Sequence, residues 1–227
     1  ALENGVAFYT YDFGIDGVSM EIAKYARCFE EMSHSGQRTP VHLIGGDFFD
    51  PSNIVLDPSW KRFQIEGMNG WSKWHGGEWF SKLFYEELPA NSQQSDDVAG
   101  EIWRQTVAVA CTLGRYLAEH NLSVIIPVNV ASNPGNLSTQ LALVLVSELM
   151  ELYVLNSNHD FYWEGGKPSY DRSPGEAAGP RDHFFKNMNN RAFFSLFHRL
   201  YPWDGTRWVQ TNINPRQSRK LIENFGF

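Results

Sequence analysis

Apolar residues along this chain follow two alternating patterns. Short apolar runs with many β-branched and aromatic residues predict strands at residues 5–13, 40–45, 122–128, 152–156 and 206–212. Between them, apolar residues recur every three or four positions, which predicts helices that begin near residues 19, 95, 137 and 215. Strands that alternate with helices in this order are typical of a mainly parallel sheet with helices on both faces. We therefore expect an α/β fold.

Capping residues indicate where the predicted helices begin and end. Ser19 and Ser95 each precede a helical pattern and are predicted to be N-caps, because a serine hydroxyl can accept a hydrogen bond from a free backbone N–H of the first turn. The last helix has Asn214 as its predicted N-cap, Pro215 at its first position and Gly226 at its end.

Two segments follow neither pattern. We interpret residues 47–95 as an aromatic-rich insertion, irregular or partly helical, that covers one edge of the sheet; tryptophans at positions 60, 71, 74 and 79 lie there among glycines. Residues 161–182 are rich in Gly, Pro, Ser and charge, and are predicted to form a long loop of the kind that is usually functional or disordered. With both segments included, residues 1–227 are predicted to form a single domain.

Composition and charge exclude some classes of protein. The 227 residues carry a formal net charge of -7 and are 42% hydrophobic, so one domain can bury a sizeable core. No stripe of Lys and Arg is visible, which argues against a nucleic-acid partner. The longest apolar run, residues 141–146, is too short to span a bilayer, and peripheral membrane association stays open. Two cysteines and no recognisable signal peptide favour a cytoplasmic protein.

The loop after the first strand is the first candidate for ligand binding. Gly14, Ile15, Asp16 and Gly17 lead into the first helix, and glycines let backbone N–H groups approach a ligand at a helix N-terminus, where anions are favoured. The loop is not a dinucleotide fingerprint, because the third glycine is missing, and it is not a P-loop, because no Gly-Lys-Ser/Thr follows. A tight turn that needs two glycines is the structural alternative.

Polar residues that directly follow a buried strand form the second candidate. The strand ends of a parallel sheet meet at one edge, where ligands bind, and polar groups are costly there unless they are used. We predict His159 and Asp160 as catalytic residues, with a structural histidine as the alternative for His159. The predicted substrate-binding residues are Gly14, Ile15, Asp16, Gly17, Asn129, Asn158, Tyr162 and Trp163.

Metal binding and nucleophilic hydrolysis are not predicted. The seven histidines show no His-x-x-x-His or His-x-His spacing, and neither Cys28 nor Cys111 pairs with one of them. A Gly-x-Ser-x-Gly nucleophile elbow is also missing from the sequence.

Three segments resemble the acceptor half of the GT-B retaining glycosyltransferases, in particular glycosyltransferase family 4. They are the first strand with its glycine loop, the sequence Asn-His-Asp-Phe-Tyr-Trp-Glu at residues 158–164, and residues 201–221, which contain Tyr-Pro-Trp, Arg-Trp-Val-Gln-Thr-Asn-Ile-Asn and Gln-Ser-Arg-Lys-Leu. The resemblance covers most of the chain through short motifs. The Trp-rich residues 60–80 have no counterpart in the family pattern.

The resemblance implies one Rossmann-like half of a GT-B fold. In that family this half holds the acceptor, its glycine loop lies near the donor phosphates, and a histidine that His159 matches lies near the transferred sugar. The nucleotide-sugar donor binds mostly to a C-terminal domain, which is absent from this sequence, so the fragment is expected to be inactive by itself. The implied reaction transfers a sugar, with retention, from a nucleotide-sugar donor to a carbohydrate or other hydroxyl acceptor, without a cofactor or an essential metal.

Two other functions stay open. A non-catalytic, Rossmann-type carbohydrate-binding or regulatory domain would account for the aromatic content of 15%, because Trp and Tyr rings stack on sugar faces. Another α/β enzyme, such as a sugar epimerase or a nucleotide-dependent oxidoreductase, would need the dinucleotide fingerprint that the glycine loop lacks.

Overall fold

The computed structural model of the protein describes residues 2–32, 36, 38–70, 78–161, 184 and 186–227. The strands are β1 (Val6–Tyr9), β2 (Asp12–Phe13), β3 (Val41–Gly45), β4 (Asp47–Phe48), β5 (Lys61–Gln64), β6 (Val124–Pro127), β7 (Tyr153–Asn158) and β8 (Trp208–Asn212). The α-helices are α1 (Gly17–Glu31), α2 (Glu78–Tyr85), α3 (Gln93–Glu119), α4 (Leu137–Leu149), α5 (Ala192–Ser195), α6 (Phe197–Leu200) and α7 (Pro215–Phe225), and a short 3-10 helix spans Asp50–Ile54. Within these described ranges, no helix combines the length and apolarity needed to cross a bilayer.

Six strands form one parallel sheet in the order β5-β3-β1-β6-β7-β8, which confirms the predicted α/β fold. The order is Rossmann-like, because the chain winds outward from β1 to β5, returns along α3, and winds outward again from β6 to β8. The winding direction reverses between β1 and β6. Ligands of such sheets bind at this switch point, outside the carboxyl ends of the strands.

Two apolar cores cover the two faces of the sheet. One core contains Phe8 of β1 together with Ile22 of α1. The other contains Tyr9 of β1 together with Leu113 of α3 and Leu143 of α4. Neighbouring strand residues belong to different cores because successive side chains of a strand point to opposite faces. The helices therefore lie on both faces, as predicted, with α1 on one face and α3 and α4 on the other.

Two helices begin three residues earlier than predicted. The N-cap of α1 is Asp16, whose carboxylate accepts the Ser19 N–H at 2.9 Å. The N-cap of α3 is Ser92, whose hydroxyl accepts the Ser95 N–H at 3.2 Å. The predictions of Ser19 and Ser95 as caps are wrong, because each of these serines is the third residue of its helix and donates its N–H to the cap.

The last helix follows its predicted signals. Asn214 caps α7 by accepting the Gln217 N–H at 3.0 Å, and Pro215 is the first helical residue. Gly226 ends the helix with a φ of 74°, in the left-handed region that favours glycine.

The segment predicted as an insertion contributes a strand to the main sheet. β5 pairs with β3 from His42 opposite Lys61 to Gly45 opposite Gln64. The sequence pattern missed this strand because three of its four residues are polar, as an exposed edge strand allows. Of the tryptophans in this segment, Trp60 is buried next to β5.

Candidate functional site

The glycine loop enters α1 through a network of its own polar groups. The Asp16 carboxylate accepts the Ser19 N–H with Oδ1 and the Ser19 hydroxyl with Oδ2, both at 2.9 Å. The Gly14 N–H donates to the Ser19 hydroxyl oxygen at 3.0 Å. Two backbone N–H groups that an anion could use are therefore already bound, and the Asp16 charge interacts with the positive end of the helix. This loop suits a neutral ligand with hydroxyl groups better than a phosphate.

Ile15 and Gly17 form the open tip of the loop. Ile15 is 57% exposed, and no atom lies within 4 Å of a Cβ placed on Gly17. At Gly14, by contrast, a Cβ would lie 3.3 Å from Asp16 Oδ2. The fold therefore tolerates a side chain at position 17, and the glycine leaves free space above the start of α1.

We expect Gly17→Val to melt within a few degrees of the wild-type protein but to lower kcat/KM for the sugar transfer that the resemblance implies, because the new side chain fills that free space. Thermal melting of the chain and steady-state kinetics of the full-length protein measure the two effects. Gly100→Val is a matched control, since Gly100 lies exposed on α3 with equally open surroundings. An unchanged kcat/KM in a folded Gly17→Val protein would show that the loop is only structural.

Asn129 follows β6 and connects two segments at the switch point. Its φ is 61°, in the left-handed region that asparagine tolerates better than most residues with a side chain. Its N–H donates to the Ser157 carbonyl at 2.9 Å, and its Oδ1 accepts the Ser132 hydroxyl and the Asp160 N–H, both at 3.1 Å. Asn129 therefore fixes the turn that contains His159 and Asp160.

His159 lies beside α1 at the carboxyl end of β7. Its Nε2 is 2.9 Å from Oε2 of Glu21, and the two side chains are 14% and 22% exposed. Nε2 is shielded from solvent and makes no hydrogen bond of good geometry, so the Glu21 carboxylate contacts it as a close negative charge and not through a linear hydrogen bond. Glu21 lies only about 6 Å along the helix axis from Gly17. The structure thus brings His159 and the glycine loop to the same edge of the sheet.

Glu21 was not among the predicted site residues. In the sequence Glu21 is one acidic residue on a helix, and the sequence does not show that its side of the helix lies next to the end of β7. Its place in the second turn after the glycine loop was the available signal, because that part of a Rossmann-like fold lies at the carboxyl edge of the sheet.

Asn158 faces the other side of the sheet from His159. Its buried side chain donates to Gln210 Oε1 at 3.0 Å and to Asn212 Oδ1 at 3.1 Å, and it accepts from Asn156 at 2.8 Å. We call this cluster of Asn156, Asn158, Gln210 and Asn212 the amide ladder. It joins β7 to β8, so the structure does not place the Asn158 side chain next to His159.

Of the remaining predicted site residues, the structure describes Asp160 but not Tyr162 or Trp163. Asp160 is exposed and is held through its N–H, as described above. Tyr162 and Trp163 lie outside the described residues. Over the described part of the chain, no three His, Cys, Asp or Glu side chains come close enough together to hold a metal ion.

A shallow groove lies at the same edge of the sheet, between the end of β8 and the start of α7. Its volume is about 560 Å³, and Asn212, Ser218 and Arg219 are among its lining residues. This volume is within the range of small-molecule sites. Gln217, on the first turn of α7, donates to the His159 carbonyl at 2.7 Å, so the helix that lines the groove also contacts the turn of His159.

A second histidine cluster lies at the opposite, amino edge of the sheet. His42 of β3 is buried, its Nδ1 lies 2.8 Å from the Tyr116 hydroxyl, and its ring meets that of His120 edge-on at 5.0 Å. Burial lowers the pKa of His42 to about 4, with smaller contributions from Lys61 and His120. This is the behaviour of a structural histidine held within a core.

We expect the free energy of unfolding to fall by on the order of 1–2 kcal/mol between pH 7 and pH 5 because of His42. The pKa of His42, about 4 in the folded chain, lies below the ordinary histidine value of 6.5, so in this window the unfolded chain binds a proton that the folded chain does not. Urea unfolding at both pH values measures the loss. His42→Leu should remove this part of the pH dependence, and an equal loss in that variant would assign it to other groups.

Comparisons with known proteins assign no family to this chain: no family model, no curated protein and no solved structure matches it.

Proposed function

We propose that this chain is the acceptor-side domain of a retaining glycosyltransferase, which moves a sugar from a nucleotide-sugar donor to a carbohydrate or other hydroxyl acceptor. The observation that supports this best is the pair of His159 and Glu21 at the carboxyl edge of a Rossmann-like sheet, beside the glycine loop. An imidazole held by a carboxylate at such an edge can exchange hydrogen bonds with a bound hydroxyl.

The carboxylates beside the glycine loop and His159 support an acceptor role for this half. Asp16 caps the helix that contains Glu21, and Asp160 directly follows His159; both residues are exposed. Carboxylates accept hydrogen bonds from sugar hydroxyls. The same charges disfavour a bound diphosphate. We propose that the departing diphosphate is stabilised mainly by the expected C-terminal domain of the same protein, where helix termini and basic side chains carry its charge without a cofactor or an essential metal.

His159 is the proposed catalytic residue of this half. A hydrogen bond between its ring and a hydroxyl of the transferred sugar would strengthen as the sugar becomes oxocarbenium-like, and Asn129 would hold the turn in place through the Asp160 N–H. The free thiols of Cys28 and Cys111 are both exposed, which supports a cytoplasmic location for this enzyme.

The isolated 227-residue chain is expected to fold but to transfer no sugar, because the proposed donor site lies mostly outside it. The test is release of nucleoside diphosphate from UDP-glucose, UDP-galactose, UDP-N-acetylglucosamine and GDP-mannose, by the chain and by the full-length protein. Donor-dependent turnover in the full-length protein alone is the expected result. Turnover by the isolated chain would contradict the two-domain site, and sugar binding without turnover by the full-length protein would favour the non-catalytic alternative.

A further inference from the structure

A chain of polar side chains extends from His159 back to β7 through α1. The Glu21 carboxylate faces His159 Nε2 with Oε2, and its Oε1 accepts the Tyr25 hydroxyl at 2.5 Å. The Ser157 side chain of β7 also interacts with the Tyr25 hydroxyl and lowers the pKa of this phenol, although burial and Glu21 raise the pKa overall. The two oxygens of one carboxylate are thus divided between a phenol and an imidazole.

The phenol fixes which oxygen faces His159. Burial raises the pKa of Tyr25, and its hydrogen bond to Glu21 raises it further, so the phenol keeps its proton at neutral pH and donates it to Oε1. Because Ser157 belongs to β7, the Tyr25 hydroxyl lies beside the strand that leads to His159. Oε2 therefore remains directed toward the imidazole.

We propose that Glu21 is a positioning residue that keeps the proton of neutral His159 on Nε2 and leaves Nδ1 free to accept a hydrogen bond from a ligand hydroxyl. The hydrogen bond or charge at one ring nitrogen determines which nitrogen carries the proton. A carboxylate can only accept, so it favours the tautomer with the proton on Nε2. The effect on catalysis rests on the proposed function, whereas the tautomer can be measured without substrate.

The first test is the tautomer ratio of His159 in the 227-residue chain, measured at pH 8 from the ring ¹⁵N chemical shifts. Wild-type protein should show mainly the Nε2–H form. In Glu21→Gln, the amide oxygen should stay on the Tyr25 hydroxyl and the NH₂ group should face Nε2, so the ratio should invert toward Nδ1–H. Adding Tyr25→Phe frees the amide to turn, and should return the ratio toward Nε2–H. Glu31→Gln, an exposed charge change on the same helix, should leave the ratio unchanged.

An unchanged ratio in Glu21→Gln, or a mainly Nδ1–H ring in the wild-type chain, would overturn the proposal.

The second test is kinetic. In the full-length protein Glu21→Gln should lower kcat on the order of tenfold or more with little change in the acceptor KM, because the ring presents the wrong nitrogen, and Glu21→Gln/Tyr25→Phe should recover part of the loss. If wild-type protein transfers no sugar, the proposed function fails, and the tautomer test still decides whether Glu21 positions the proton of His159. If His159→Ala abolishes transfer but Glu21→Gln does not lower kcat, the positioning role fails while the function stands.

Discussion

His159→Ala in the full-length protein is expected to lower sugar turnover by roughly a hundredfold or more, because one well-placed hydrogen bond to a transition state contributes on the order of 2–4 kcal/mol. The melting temperature should change by only a few degrees. The His159 side chain is at the edge of the sheet and in neither apolar core, and its truncation opens Glu21 to water, so losing the pair should cost only on the order of 1–2 kcal/mol. Thermal melting and donor-turnover assays on the same preparation separate the two effects.

Two other histidines provide the controls for this prediction. His198→Ala changes an exposed histidine on α6 and should keep wild-type turnover. His42→Ala changes a buried histidine at the far edge of the sheet, and should lower the melting temperature while activity per folded molecule stays normal. A stable His159→Ala enzyme with wild-type turnover would remove the main residue of the proposed site and leave only a likeness of fold, which is weak support for a function.

Asn187→Ala is expected to lower the free energy of unfolding by about 3–4 kcal/mol, because it leaves several buried backbone groups without a partner. Asn187 is fully buried, and its Nδ2 donates to the carbonyls of Leu83 at 2.8 Å and Glu86 at 2.9 Å, at the end of α2. Its Oδ1 accepts the Leu88 N–H at 2.9 Å. One amide side chain therefore closes α2 and holds the segment that leads to α3.

Urea unfolding of the chain measures this loss, and the corresponding fall in melting temperature is roughly 6–16 °C for a domain of this size. Asn189→Ala is the matched control, because Asn189 is an exposed asparagine in the same segment, and it should cost less than about 1 kcal/mol. A cost below about 1 kcal/mol for Asn187→Ala as well would show that backbone groups near α2 find other partners.

The predicted and observed helix starts differ for a reason that the sequence itself contains. In α1 and α3, the capping residue and the residue that donates to it are three positions apart, and both can serve as caps. Asp16 precedes Ser19, and Ser92 precedes Ser95. The prediction took the second residue of each pair because it stood next to the apolar pattern. In α7 the cap is followed by Pro215, which marks the first turn, and the prediction was correct.

Strands and site residues could be predicted where a buried strand leaves a clear apolar run in the sequence. β1, β3 and β6 are buried, so their apolar runs were recognised, whereas the mostly polar edge strand β5 was not. The turn at His159 was found because polar residues follow a buried strand there. Its partner Glu21 depends on how α1 packs against the sheet, about 140 residues earlier in the chain, and a single sequence does not reveal a contact of that kind.

The amide ladder has a consequence for how the edge of the sheet opens. β8 is joined to β7 by backbone pairing and by the ladder, and Trp208 is its only buried side chain. Among the described side chains of β8 and α7, Trp208 and Leu221 are the buried apolar ones. Detaching this unit therefore exposes much less apolar surface than unfolding the domain, so it should open at a lower free energy. Backbone amides of β8 should then exchange with deuterium well before those of β1 and β6. Because Gln217 of α7 holds the His159 carbonyl, each such opening also releases one restraint on the proposed site.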